Sequence, residues 1–239
     1  MYKKLASADG SFTFYSERFK ECYHSLKDGA LTETLHKHVL PPIELLGILQ
    51  RQEVRILDLC FGLGYNSFVT AWIYKKYCFS GKVVIFSTEI DSAILDKISM
   101  IDFPPELSFL EKERIIQQLK ISGQSQLSPC VDLKLMLGDG IAILQKLSKD
   151  TNKYFDIIYH DAFSLQATPE FWSEEFFQIL YQLLDEKGII TTYSVNKNIL
   201  KNARDAGFFT FIYTQDKCRN STILSKKDLS SHQKLKLIL

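Results

Sequence analysis

"VRILDLCFGLGYNS", residues 54–67, decides the fold. An apolar run from Val54 to Leu59 is interrupted only by Arg55 and Asp58, then breaks into a turn holding Gly62 and Gly64, and an apolar helical pattern begins at Tyr65. A near-continuous apolar strand that turns through glycines into a helix is the unit of a parallel sheet covered on both faces. The same unit recurs downstream. Strand "KVVIFSTEI" (82–90) leads to a helix opened by Asp91, and one further helix precedes strand "VDLKLMLGD" (131–139). Helix 141–149, strand 155–161, helix 169–184, strand "GIITTYSV" (188–195) and helix 196–206 follow, with "FFTFIYT" and "STILSK" as a closing hairpin.

Upstream the pattern is different. "SADGSFTFYSERF" reads as a turn at Asp9-Gly10 entering a short strand, and 32–49 as a helix with a capping box from Thr32 and an interruption at Pro41-Pro42. The predicted fold is therefore α/β, a doubly wound, mostly parallel seven-stranded sheet with helices on both faces, a C-terminal antiparallel hairpin and a small N-terminal extension. Its expected divisions are 1–50 as an extension packing on the substrate side, 51–225 as the main domain and 226–239 as a tail.

Composition narrows the function. The chain has 239 residues, 46% hydrophobic and 24% charged, and a net charge of +1 from 29 basic and 28 acidic side chains. That balance gives no general pull toward a polyanion, so a nucleic-acid partner would need a local patch. No apolar stretch suits a signal peptide or a membrane span. The five cysteines form no CxxC pair, which fits a reduced cytoplasm and argues against a zinc site.

In an open parallel sheet, ligands lie outside the carboxyl ends of the strands. Those ends are acidic here. Asp58, Gly62 and Gly64 fit D-x-x-x-G-x-G, with Cys60 where a first glycine often stands. Glycines let a backbone turn sharply and approach a ligand, and the helix that follows presents unpaired N–H groups. Glu89 closes the second strand and could accept both ribose hydroxyls of a nucleoside. Asp139, with Gly140 beside it, closes the third, as helix cap or as a contact for an adenine amino group. The fourth ends in His160-Asp161-Ala162-Phe163. His160 is read as a satisfied strand-end histidine and Trp172, on one helix face with Phe176, as core. A nicotinamide fingerprint needs a third glycine, and Tyr65-Asn66-Ser67 stands there instead.

This layout resembles class I S-adenosylmethionine-dependent methyltransferases over residues 54–195. "FGLGYN", "HDAFSLQATPEFWSEEFF", "DAGFFTF" and "KCRNST" further resemble the methyltransferase domain of the MnmC family, which modifies the wobble uridine of tRNA, as do "ADGSFTFYSERFKECYHS" and "GALTET". Cys60, Leu63, Leu165 and Thr168 depart from the family pattern. The resemblance implies S-adenosylmethionine as cofactor, held by Asp58, Gly62, Gly64, Asn66, Glu89, Asp139 and Gly140. It implies methylation of the 5-aminomethyl group of uridine 34, in the cytoplasm, by a stand-alone form without FAD or metal. Asp161 matches the family's D-x-F aspartate and would orient the amine or take its proton. Phe163 would wall the base, with Tyr15, Tyr23 and His24 covering the pocket. A tRNA anticodon stem-loop would meet a basic patch drawn from Lys197, Lys201, Arg204, Lys217 and above all Arg219, although the first three are read equally as a solvated helix face. A separate enzyme would supply the aminomethyl-uridine tRNA. Two other readings stand beside this one, an aminopropyltransferase of the spermidine synthase type and a degenerate tRNA- or partner-binding module.

Overall fold

A computed structural model describes residues 2–150 and 154–238. Twelve strands and eight α-helices run β1 (Tyr2–Ala6), β2 (Phe12–Ser16), β3 (Glu21–Cys22), α1 (Ala30–Thr34), α2 (Leu40–Leu46), β4 (Glu53–Leu59), α3 (Tyr65–Lys76), β5 (Lys82–Glu89), α4 (Ile94–Ser99), α5 (Lys112–Ser122), β6 (Gln124–Ser128), β7 (Val131–Leu137), α6 (Gly140–Leu147), β8 (Phe155–His160), α7 (Glu174–Leu183), β9 (Leu184–Thr192), α8 (Lys197–Asp205), β10 (Phe209–Tyr213), β11 (Ser221–Ser225) and β12 (Leu235–Ile238). The main sheet has the order β12-β10-β11-β9-β8-β4-β5-β7-β6. Its centre, β9-β8-β4-β5-β7, is parallel, and the outer pairings are antiparallel. The chain winds from β4 toward β7, then returns to β8 on the other side. That reversal puts the topological switch point at the carboxyl ends of β4 and β8, where a ligand site is expected.

Alternation along the central strands builds the two larger cores, and a third, smaller one lies around Ile189, Phe211 and Ile223. Ile56, Ile85 and Ile157 face the layer of α3, α4 and α5, while Leu57, Leu59 and Ile158 face α6, α7 and α8. Side chains of period two pointing to opposite faces give this division.

The sheet class is as the sequence predicts, but nine strands join it rather than seven. β6 is a polar edge strand, "QSQLS", in which only every second residue packs inward at first, so no apolar run announces it. β12 falls in the 226–239 segment read as a tail and pairs with β10. The N-terminal segment holds a three-stranded antiparallel sheet of its own, β1-β2-β3.

Helix starts also move. The helical run 30–46 begins at Ala30 after Gly29, whose φ is 90°. Thr32 is inside it and does not cap; its N–H donates to Asp9 Oδ2 at 2.9 Å. Pro41 and Pro42 do not interrupt the run. A π-helical turn over Leu35–Val39 precedes them, so they fall at the start of α2, where a missing N–H removes no bond the next segment needs. The helix expected over 169–184 is a short 3₁₀ turn, Pro169–Trp172, then Ser173 in extended backbone, whose Oγ accepts from Phe176 N and starts α7. Asp91 accepts from Ala93 N in the turn before α4, which starts at Ile94.

Candidate active site

A cavity of about 660 Å³ opens at the carboxyl ends of the central strands. The N-terminal sheet roofs it. Tyr65 OH donates to Phe12 O at 2.9 Å, and Glu21 accepts from both the N–H and the hydroxyl of Ser164 in the loop after β8.

The floor is the β4–α3 turn. Phe61 N donates to Thr88 O at 2.7 Å, pinning the turn to β5. Gly62 and Gly64 adopt positive φ, +52° and +79°, and a Cβ on Gly64 would stand 2.6 Å from the Phe68 ring. Cys60 also has positive φ, 66°. The conformation that makes glycine common at this position is therefore kept here by a side chain that ordinarily avoids it. Asp58 lies beneath the floor rather than in the cavity wall. It is fully buried and accepts from Asn66 Nδ2 at 3.1 Å and Ser67 Oγ at 2.9 Å. Burial pushes its carboxyl up to about 7 against those two bonds. Its work is to hold Asn66, which does line the cavity. Asn66 Oδ1 is buried without a hydrogen-bond partner among the described residues.

Glu89 and Asp139 form the adjoining wall. Glu89 Oε2 accepts from Gly62 N at 2.9 Å and Oε1 from Asp91 N at 2.8 Å; burial raises its carboxyl against these donors. Asp139 is the N-cap of α6 and accepts from Ile141 N and Ala142 N through Oδ1 alone. The cap reading is thus met, with Oδ2 left outside the cap. Gly140 lines the same wall, beside Thr88 and the Phe171 ring.

Asp161 faces them from the end of β8. Asn66 Nδ2 donates to its Oδ2 at 3.0 Å, and His38 Nε2 stands 3.6 Å from its Oδ1. Burial opposes the Asp161 charge, but His38, His24 and Asn66 outweigh it and hold the carboxyl well below the usual carboxylate range. One amide therefore ties the carboxylate of β4 to the one that follows β8. His24 lines the cavity with its ring edge on Tyr65, and burial depresses its basicity against the pull of Asp161.

At the mouth, Phe163 stacks on Phe19 with ring centroids 4.4 Å apart and tilts against Tyr23 at 5.1 Å. Tyr15 does not join them. It sits on β2 opposite Lys3 and Cys22 and is not part of the cavity wall, although Cys22 is. Arg219 does reach the rim, where Nε donates to Asp28 Oδ2 at 3.0 Å. Lys197, Lys201, Arg204 and Lys217 do not line the cavity; the basic side chains that do are Arg18, Lys27 and Arg219. Trp172 is core, its Nε1 donating to Phe163 O, and His160 is packed between Trp172 and Phe177 with Nε2 bonded to Phe171 O at 2.8 Å. Burial lowers His160 to about 4.

Sequence reasoning passed over His38, Tyr193 and the Glu21–Ser164 clasp. Tyr193 lines the cavity and donates to Ala162 O at 3.1 Å. The signal for His38 was a histidine running into the apolar Val39-Leu40-Pro41-Pro42 of a helical stretch, "LHKHVLPP".

The residues present suit S-adenosylmethionine. Glycines at positive φ allow close approach, Glu89 offers a two-oxygen acceptor, and Ile141 and Phe171 supply apolar walls for a purine. Asn66 Oδ1, an unfilled buried acceptor, suits a donor such as the cofactor's amino group. Among the described residues no three His, Cys, Asp or Glu side chains group as metal ligands would. No described helix is long and apolar enough to cross a membrane.

The family described as S-adenosyl-L-methionine-dependent methyltransferase matches residues 108–222. Fold, acidic strand ends and this match agree on the class: they are those of the S-adenosylmethionine-dependent methyltransferase superfamily. Within it, the chain is homologous to the methyltransferase domain of MnmC. The crystal structure of MnmC2 from Aquifex aeolicus superposes with a TM-score of 0.80 at 28% identity, covering 95% of this chain and 70% of that one. The bifunctional tRNA 5-methylaminomethyl-2-thiouridine biosynthesis protein MnmC of Campylobacter hominis is 28% identical over 198 residues, 81% of this chain and 28% of that protein. An uncharacterized protein of Methanocaldococcus jannaschii is 28% identical over 205 residues, 85% of this chain and 53% of that protein. The chain thus spans about half the length of the archaeal relative and under a third of the bifunctional one.

Proposed function

We propose that the protein is an S-adenosylmethionine-dependent N-methyltransferase that converts the 5-aminomethyl group of tRNA wobble uridine 34 to 5-methylaminomethyl. The observation that carries this reading is Asp161, a carboxylate kept ionised in the same cavity as Glu89 and Asp139. An aminomethyl group arrives largely as ammonium, which an ionised carboxylate attracts and orients, and an amine must be free of its extra proton before it attacks. Asn66 fixes Asp161 from one side. Glu89, Asp139, Gly62, Gly140 and Asn66 would hold the cofactor, which supplies an electrophilic methyl group when bound. Phe163 and Tyr23 form an aromatic wall at the mouth, suited to a base turned out of an RNA loop. Arg18, Lys27 and Arg219 at the rim would meet its phosphates, replacing the α8 patch as the expected anchor. In this reading the partner is a tRNA anticodon stem-loop, supplied by an enzyme that leaves the aminomethyl group, in the cytoplasm.

The aminopropyltransferase alternative expects a further aspartate soon after the loop phenylalanine. Ser164 follows Phe163 here, and its N–H and hydroxyl are committed to Glu21. The test is mass analysis of tRNA nucleosides after incubation with S-adenosylmethionine and tRNA carrying 5-aminomethyluridine. A gain of one methyl on that nucleoside is expected; no gain, with the cofactor bound, overturns the proposal.

A further inference from the structure

His38 is fully buried in the π-helical turn Leu35–Val39. Its Nδ1 shares a 2.8 Å hydrogen bond with the hydroxyl of Thr191 on β9. Its Nε2 has no hydrogen-bond partner among the described residues and points toward Asp161 at 3.6 Å. A buried polar atom left unpaired costs on the order of 1–3 kcal/mol, and π turns occur frequently at functional positions. That ring nitrogen stands directly behind an amine-binding carboxylate, a place for a proton to rest.

We propose that His38 receives, by way of Asp161, the proton that the substrate ammonium loses before methyl transfer. The inference rests on the N-methylation reading above. One N–H bond of the ammonium breaks and its proton passes to the Asp161 carboxylate, then to Nε2 of His38. The amine lone pair freed in this way forms the new N–C bond to the methyl carbon. The C–S bond breaks and its electron pair stays on sulfur. The sulfonium charge is thereby replaced by the charge on the methylated amine, and the ammonium charge by that on the imidazolium, so charge balances.

Asp161 hands the proton on because His38 and His24 beside it favour its ionised form. The imidazolium formed is in turn faced by that carboxylate. Asp58 on β4, His160 on β8 and His24 from the N-terminal segment also act on His38 or feel its charge. The Tyr159 ring meets it edge-on at 5.7 Å, and Lys37 and Glu33 pair with each other on its own helical run. His38 does not line the cavity, so it acts through Asp161 as a positioning and proton-holding residue.

The test compares wild type, His38→Gln and Thr191→Val on 5-aminomethyluridine tRNA at saturating S-adenosylmethionine, between pH 7 and about pH 9.5. Cofactor affinity is read by calorimetry and folding by thermal unfolding. His38→Gln should lose roughly 100-fold in kcat at pH 7, the scale of proton-transfer catalysis. KM for both substrates should hold within about threefold, and the loss should shrink to a few fold at high pH, where the amine arrives already deprotonated. Thr191→Val, which keeps the imidazole, should show a smaller loss with the same recovery, and it decides the question where His38→Gln fails to fold. No loss, or a loss equal at every pH, overturns the relay while leaving the methyltransferase reading intact. Absence of turnover in the wild type overturns both.

Discussion

Cys60 shows how a single residue can carry a backbone requirement against its own preference. At φ 66° an L side chain is strained by about 1–2 kcal/mol, a cost glycine avoids. The turn holds that conformation through bonds on both flanks, Cys60 N to Thr88 Oγ1 and Phe61 N to Thr88 O. Burial also pushes the Cys60 thiol up, so it is a packed group rather than a nucleophile. Cys60→Gly should therefore leave stability within about 1 kcal/mol of wild type, because relief of strain is offset by added freedom of the unfolded chain. Cys60→Val, branched at Cβ, should lose about 2 kcal/mol in chemical denaturation. A valine variant as stable as wild type would contradict the assignment of strain to this position. Cofactor affinity of the glycine variant should match wild type within a few fold, which is what an intact rather than degenerate cofactor loop requires.

Among elements, the helical run 30–46 matters most for the site, because it delivers both His38 and Lys37. Lys37 is buried, with Nζ 2.7 Å from Glu33 Oε1 and 3.0 Å from Asp28 Oδ2, and Asp28 in turn holds Arg219. This network clasps the N-terminal cover to the β10–β11 loop. Removing one partner of a buried ion pair leaves an uncompensated charge, so Lys37→Met should destabilise by about 3 kcal/mol or more. Burial works against the Lys37 charge, yet Glu33 and Asp28 raise its basicity above the ordinary 10.5. For Asp28 burial is likewise outweighed, by Lys37 and Arg219, and its carboxyl is lowered from 3.8. A depressed acid contributes stability present above its unfolded value and lost as pH falls through its folded one. A raised base contributes stability present below its unfolded value and lost as pH rises through its folded one. The stability gap between wild type and Lys37→Met should thus be flat from about pH 6 to 9 and narrow below about pH 4. A gap that changes across neutral pH would contradict this account. None of this was legible in the sequence. The pattern predicts a helix with a break at Pro41-Pro42, whereas the break is a π turn just before them, and a π turn has no local sequence signal. The parallel strands were legible because burial on both faces makes them continuous apolar runs. The edge strands β6 and β12 were not, being short or polar and set by their neighbours.

At the scale of the whole molecule, winding in two directions from β4 brings the ends of β4, β5, β7 and β8 to one cavity. That is why the acidic strand ends could be read as a site before any contact was known: strand order alone makes them neighbours. Distances along the chain explain what could not be read. His38 meets Asp161, Glu21 meets Ser164 and Asp28 meets Arg219 only after the N-terminal segment folds over the sheet, and no spacing rule predicts those meetings. Tyr15 is absent from the cavity wall even though its register partner Cys22 lines it. The central claim joins these parts: a cofactor cavity in which the end of β8 presents an amine-orienting carboxylate. Asp161→Asn tests it most directly, with S-adenosylmethionine affinity by calorimetry and methylation of 5-aminomethyluridine tRNA measured on the same preparation. The account predicts cofactor affinity within a few fold of wild type and methyl transfer reduced by roughly 100-fold or more. Methyl transfer at the wild-type rate in that variant would contradict it.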